Sequence, residues 1–232
     1  MQIMPTLAAP RQRGIIIEGK VVIPSWVDDL ASFRAWRVSA DAPTSGEVAY
    51  LGSDIWVDLS MEEFLTHNQV KAAFDFAIMG VVQAAASGRY VPDRMLLTNE
   101  NAELSTKPDG LFFAWATVTS GRLRLVDKAD QGILELEGTP DMTLEIISKN
   151  SRRKDSVVLR ELYWKAGVTE YWLVDVRDGA LSFEILRHTA DGYVASGGEE
   201  RWISSGVFGK RFQLDRRVDP LGHPQFVVLV KG

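Results

Sequence analysis

The chain of 232 residues contains no cysteine, so it has no disulfide framework, no thiolate nucleophile and no cysteine-ligated zinc. Histidine is scarce as well: His67, His188 and His223 stand far apart, without the spacing of a histidine metal site. No apolar run approaches the roughly 18 residues a membrane helix needs, and "MQIMPTLAAPRQRG" lacks the charged-then-apolar order of a signal peptide. The expectation is a cytoplasmic protein with no membrane association. Positive charge is in deficit, the formal net charge being −5, which argues against a surface coated for non-specific nucleic-acid binding but leaves room for a local basic patch. What is present is ordinary for a folded chain: 46% apolar and 25% charged residues, enough for one sizeable core.

Short apolar runs with turn residues between them dominate the first quarter: "RGIIIEGKVVIP", "SFRAWRVS" and "VAYLGSDIWVDLS" all read as strands. A long helix is expected over residues 60 to 88, opened by a capping box of Ser60 and Glu63 and closed at Gly88. Its buried face is Phe64, Val70, Phe74, Ile78 and Val81. A strand "YVPDRMLLT", a turn in "TKPDGLFFAW" and two strands in "SGRLRLVDKADQGILELEG" follow. "MTLEIIS", "DSVVLRELYWKAG" and "EYWLVDV" then give strand, helix, strand, the order of a crossover that lays two strands parallel. The helix should bury Val158, Leu159, Leu162, Tyr163 and Ala166, expose a Glu161 to Lys165 ion pair and stop at Gly167.

Glu145 is the anomaly. It sits among Leu144, Ile146 and Ile147 in an otherwise apolar strand, where an unpartnered carboxylate costs several kcal/mol as an order of magnitude. A structural salt bridge to Arg152, Arg153 or Lys154 is one solution. A divalent ion is the other: magnesium is commonly held by one or two carboxylates and waters, and Asp109 in "KPDGLFF" is the candidate second ligand. Pro-Asp-Gly is equally a standard β-turn, and Asp155 has the simple role of capping the helix that follows it. Trp164 and Trp172 read as packing aromatics and His67 as a polar contact, so neither acid alone argues for catalysis.

The ordered set "KPDGLFF", "DMTLEIISKNSRRKD" and "LYWKAGVTEYWLVD" resembles the Uma-two family of restriction-endonuclease-like proteins, a branch of the PD-(D/E)XK nuclease superfamily. The helix holding His67, "EEFLTHNQV", also looks like the family's first core helix. That resemblance implies an α+β or α/β fold with a mixed sheet flanked by helices. It implies Asp109 and Glu145 as ligands of Mg2+ or Mn2+, DNA as the substrate, and Glu62 or Glu63 facing the site from the helix. The expected organisation is an N-terminal β extension over 1–47, a nuclease-like core over 48–190 and a C-terminal β extension over 191–232.

Two positions depart from the family pattern. Lysine belongs two residues after the glutamate, yet Ile147 stands there; Lys149, about 6–7 Å further along the strand, and Lys107 are the substitutes, with Ser148 as a polar contributor. Where family members carry lysine four residues after the aspartate matching Asp155, this chain has Leu159, and Arg160 next to it is turned by about 100°. The leading expectation is a metal-dependent nuclease, with Asp109, Glu145, Lys149, Ser148, His67 and Glu63 as site residues. The alternatives are a nuclease fold kept as a binding module, or a structural homo-oligomer using Trp26, Trp36 and Trp202. A homodimer is expected from the short strands at the chain ends.

Overall fold

A computed structural model describes residues 14–93, 95–128, 132–199 and 201–232. Residues 1–13 of the expected N-terminal extension therefore lie outside the described residues. The chain divides into two compact units, Met1–Gly46 and Glu47–Gly232.

In the first unit, Ile15–Ile17 and Val21–Ile23 pair as an antiparallel hairpin. "SFRAWRVS", expected as a strand, is instead part of the helix Leu30–Arg37. Local chemistry accounts for the difference: Asp29 accepts from the Ser32 N–H at 2.7 Å while the Ser32 hydroxyl oxygen accepts from the Asp29 N–H at 3.0 Å. This reciprocal cap satisfies amides that a helix start leaves open, and Leu30, Phe33 and Trp36 then recur at helical spacing.

The second unit is built on a six-stranded mixed sheet, in the order Gly192–Ala195, Ser182–Thr189, Glu170–Asp175, Met142–Ile146, Gly110–Ala114, Gly88–Pro92. The predicted crossover is present: Met142–Ile146 and Glu170–Asp175 run parallel, with Leu144 beside Trp172. A second six-stranded sheet comprises Asp54–Asp58, Glu47–Leu51, Leu104–Thr106, Leu96–Asn99, Gly132–Gly138 and Leu123–Lys128. The C-terminal strands, Gly198–Glu199, Trp202–Ser205, Lys210–Val218 and Pro224–Lys231, form a four-stranded antiparallel sheet.

Strand alternation divides the core into two layers. Leu111, Phe113, Tyr171 and Leu173 pack with Leu159, Leu162 and Tyr163 of the crossover helix. Phe112, Leu144, Ile146, Trp172 and Val174 pack with Val70, Phe74 and Ile78 of the long helix and with Phe212 and Phe226 of the C-terminal sheet. "YVPDRMLLT" is not one strand but two in different sheets, Gly88–Pro92 and Leu96–Asn99, separated near Asp93, whose φ of 48° breaks the extended chain.

The long helix starts later than the capping box implied. Ser60 bonds to Asp58, and it is the Glu63 carboxylate that accepts from Leu65 N–H and Thr66 N–H. Its first turn, Phe64–Asn68, is π-helical and runs into the α-helix Gln69–Ala85. The wider turn shifts Phe64 out of phase with the stripe, so Phe64 is exposed, while within the α-helix the fully buried residue of the last turn is Val82, with Val81 partly buried beside it. The crossover helix also opens with a π turn, Lys154–Leu159, before Arg160–Lys165, and its stop at Gly167 is as expected, with φ at 76° and Gly167 N–H donating to Trp164 O. Glu161 and Lys165 form the anticipated surface pair at 2.7 Å.

Candidate active site

Asp109 immediately precedes the strand Gly110–Ala114, which pairs antiparallel with Met142–Ile146 so that Gly110 lies opposite Leu144. The ladder ends there, one residue short of Glu145. The Asp109 carboxylate accepts from the Ile146 N–H at 2.8 Å, and its carbonyl accepts from Asp93 N–H at 3.0 Å. Asp109 and Glu145, thirty-six positions apart, therefore stand near the ends of adjacent central strands, Asp109 in contact with the long helix and Glu145 with the crossover helix.

Around Asp109 the long helix supplies cations. Lys71 Nζ lies 3.2 Å from Asp109 Oδ1, and His67 Nε2 lies 3.5 Å from Oδ2. Glu62 reaches both, at 3.3 Å from Lys71 and 3.6 Å from His67 Nδ1, and Asp93 adds a contact to Lys71 at 3.5 Å. Burial alone would push the Asp109 carboxyl up, but the His67 ring, the Lys71 ammonium and the Ile146 N–H outweigh it and hold the group at about 2. Burial works against His67 and Lys71 too, yet the surrounding carboxylates, Asp109 first, keep both above their ordinary values.

Glu145 has a different environment. Its Oε1 accepts from the Tyr163 hydroxyl at 2.7 Å, and it is buried on the face of the crossover helix. Burial pushes this carboxyl well up; the Lys154 ammonium opposes the rise, while Asp155, Asp109 and Glu47 add to it. Lys154 is buried, 2.8 Å from Glu47 Oε1 and 3.6 Å from Asp155 Oδ1. Asp155 is also buried and is not the helix cap expected from sequence, since helical backbone begins before it. It accepts the Ser151 hydroxyl through Oδ2, its N–H donates to Ser151 O, and its Oδ1 has no hydrogen-bond partner. Burial, partly offset by Lys154 and Ser151, brings the Asp155 carboxyl to about 7.

The other expected residues distribute themselves around this centre. Glu63 has its carboxylate engaged at the helix start, so Glu62 is the acid that joins His67 and Lys71. Ile147, in the family's lysine position, is buried in the core. Lys149 is exposed on the loop after the strand, and the cation whose field reaches Glu145 is Lys154. Ser148 is held through its backbone, its N–H donating to Ser151 Oγ and its carbonyl accepting from Arg177. Lys107 is half-buried, and Arg160 donates to Tyr193 O.

Sequence reasoning passed over Lys71, and it had no reason to give Lys154 more than a salt-bridge role. The signal for Lys71 was available: it follows His67 by four residues, the spacing that sets two side chains on one helical face. Lys154 was hidden because its burial depends on Glu47, more than a hundred residues away in the chain, which only the fold brings within 2.8 Å.

Among the described residues no three His, Asp or Glu side chains form a ready metal cage. Magnesium does not require one, because waters and substrate phosphates complete its shell. Asp155, Asp109 and Glu47 all press on the buried Glu145 against the single ammonium of Lys154, two of these carboxyls are pushed up, and Asp155 Oδ1 accepts no hydrogen bond and has only the Lys154 ammonium at 3.6 Å. A cation at Asp109 and Glu145 fits that imbalance.

A family model described as "Putative restriction endonuclease", Uma2, matches residues 32–216, well over half of the chain. The chain belongs to the Uma2 family. No curated protein matches this Uma2 chain. Among solved structures it is similar to "a putative nuclease belonging to DUF820" from Anabaena variabilis ATCC 29413, with 17% sequence identity and a TM-score of 0.56. That similarity covers 78% of this chain and 90% of the other, and it establishes the shared fold. The Uma2 core accordingly carries the nuclease-like α+β fold expected from its sequence, and the family's designation supports a nuclease-like function. No helix among the described residues is long and apolar enough to cross a membrane.

Proposed function

We propose that this Uma2-family protein is a metal-dependent nuclease that hydrolyses phosphodiester bonds of DNA. The observation that carries the reading is that Asp109 stands beside the end of the Glu145 strand, bonded to the Ile146 N–H, and that Asp155, Asp109 and Glu47 together press on the Glu145 carboxyl. Asp109 and Glu145 would hold Mg2+ or Mn2+, which supplies a bound water of lowered pKa and stabilises charge on the phosphate.

The chain's own residues divide the remaining tasks. Tyr163 orients Glu145 through its hydroxyl, and Lys71 with His67 keeps Asp109 ionised at neutral pH. Lys154 takes the cationic role that Ile147 vacates: its ammonium lies next to Asp155 and Glu47 and acts on Glu145, where it can offset charge building on a phosphate oxygen. Lys149 is left to a role outside the centre.

One observation favours the alternative, a nuclease fold retained as a binding module: both Asp109 oxygens already face protein donors, so the residue does not depend on a metal for its charge balance. Calorimetric titration with Mg2+ or Mn2+, repeated on Asp109→Ala and Glu145→Ala, tests the site directly. Cleavage of varied DNA substrates with Mn2+, abolished in both variants, is the expected outcome. Metal binding indifferent to both substitutions refutes the assignment. A homodimer belongs to the same reading, supported by the exposed Ile15, Ile16 and Val22 of the N-terminal hairpin; a monomer mass in light scattering counts against it.

A further inference from the structure

The five residues that follow Ser148, "KNSRR", hold three cations and no acid in a chain whose net charge is −5. Lys149, Arg152 and Arg153 are all exposed. Among the described residues none of their side chains is in an ion pair or hydrogen bond. Many cations elsewhere on the surface are matched: Arg124 with Glu137 at 2.8 Å, Lys165 with Glu161 at 2.7 Å, Arg201 with Asp215 at 2.6 Å and Arg211 with Glu199 at 3.3 Å. Leaving three adjacent cations unmatched costs some self-repulsion, which a polyanion relieves.

The segment is held from beneath while its charges face water. Ser148 N–H donates to Ser151 Oγ at 2.8 Å, the Ser151 hydroxyl donates to Asp155, and Asp155 N–H donates to Ser151 O at 2.8 Å. Arg177 does not add to the free charge. It grips Asp175 with two nitrogens, at 2.9 and 2.7 Å, and donates to Ser148 O at 3.1 Å, so it braces the loop. Asp175, the acid whose carboxyl the Arg152 field also helps to hold low, is thereby already bonded to Arg177. Side chains on a braced loop give up less freedom on binding than those on a loose one.

Position supplies the rest. Lys149 follows Glu145 by four residues, so its Cα lies within about 14 Å of the glutamate's Cα even if the chain is fully extended. Arg152 and Arg153 adjoin Lys154, whose ammonium acts on Glu145. The free cations therefore flank the carboxylate centre on the side where the strand ends.

We propose that the segment Lys149–Arg153, the turn after the strand and the first helical residues, is a docking surface for the phosphate backbone of duplex DNA, with Lys149, Arg152 and Arg153 each neutralising a phosphate beside the one presented to Asp109 and Glu145. The inference rests on the nuclease reading for its geometry, but it makes a separate claim about affinity. Contacts of this kind position the duplex without reading its sequence. They release counterions, so binding should weaken as salt rises, with a slope in log K against log salt of about 0.9 for each phosphate neutralised.

The test is fluorescence anisotropy of a labelled DNA duplex with the full chain in EDTA, so that binding is measured without cleavage, over salt from about 50 to about 200 mM. Lys149→Ala/Arg152→Ala/Arg153→Ala should lower the slope by about 2.7, which over a fourfold salt range removes a roughly 40-fold change in affinity. Lys149→Arg/Arg152→Lys/Arg153→Lys, which keeps the charges, should retain the slope and show that the loss is not one of folding. An alanine variant that binds with the wild-type slope, or a wild type that does not bind the duplex, overturns the proposal. An RNA duplex of the same sequence that competes better than DNA overturns the choice of partner. Binding that depends on the loop without any cleavage leaves this inference standing and removes the nuclease reading. Cleavage that persists with an unchanged slope does the reverse.

Discussion

Replacing Asp155 by Asn should flatten the dependence of stability on pH. The carboxyl is buried, and its value of about 7 stands well above the 3.8 of a free aspartate. Between those limits the folded chain holds a proton that the unfolded chain has released, so folding binds protons and stability falls as pH rises. Each unit of difference is about 1.4 kcal/mol. Part of the penalty is already present at pH 5 because the unfolded group is ionised there. Moving from pH 5 to pH 8 therefore costs the wild type about 2–3 kcal/mol through this residue. Asn cannot ionise, and it also relieves the upward push on Glu145, whose value Asp155 raises. Urea unfolding of both proteins in EDTA at the two pH values measures the effect. His67, held above its ordinary value by the surrounding carboxylates, is present in both proteins, so its contribution largely cancels in the difference. The variant should gain on the wild type by about 2–3 kcal/mol between pH 5 and pH 8; an equal pH dependence in the two proteins would refute the account of a strained buried carboxyl.

Three further substitutions probe other links in the structure. Tyr163→Phe removes the hydroxyl that donates to Glu145 and should lower unfolding free energy by about 1–2 kcal/mol, read from the urea midpoint; no change means that the bond contributes nothing net. Glu170→Ala strips the acceptor from Gly206 N–H, Val207 N–H, the Trp172 indole and the Ser205 hydroxyl. At about 1–3 kcal/mol for each buried donor left unpaired, the total loss should reach at least ~3 kcal/mol, with faster hydrogen exchange at Gly206 and Val207; protected amides at those positions count against Glu170 as the anchor of the C-terminal sheet. Gly110→Ala places a Cβ 2.2 Å from the Tyr90 hydroxyl oxygen, which itself donates to Asp75. Overpacking should cost about 1–3 kcal/mol and disturb the neighbouring Asp109; unaltered stability would show that Tyr90 moves aside freely.

Much of the core was legible because periodic burial needs no distant partner to be recognised. The strand with Glu145, the crossover helix with its apolar stripe and Gly167 stop, and the parallel return strand all follow from spacing two and spacing three to four. The misreadings came where a short-range bond competed with the pattern. Asp29 and Ser32 turned an apparent strand into a helix, and Glu63 displaced Ser60 as the cap. At the candidate site, the anomaly of Glu145 was visible and so was Asp109, but the supporting cations were not. Lys71 owes its place to a helix lying over the sheet, and Lys154, foreseen only as a salt-bridge partner, owes its burial to the distant Glu47.

By itself, then, the amino-acid order determined which segments could be strand or helix and that one acid would sit in an apolar strand, because those properties depend on neighbours a few residues away. The tertiary structure alone decided which charges meet. Sheet pairing set Asp109 beside the end of the Glu145 strand, where it bonds to the Ile146 N–H, while packing of the crossover helix turned Lys154 and Asp155 inward and left Lys149, Arg152 and Arg153 facing water. The physical reason is range: propensity acts over one or two turns of chain, whereas the energy of a buried charge is set by partners that only the folded sheet and helices bring close.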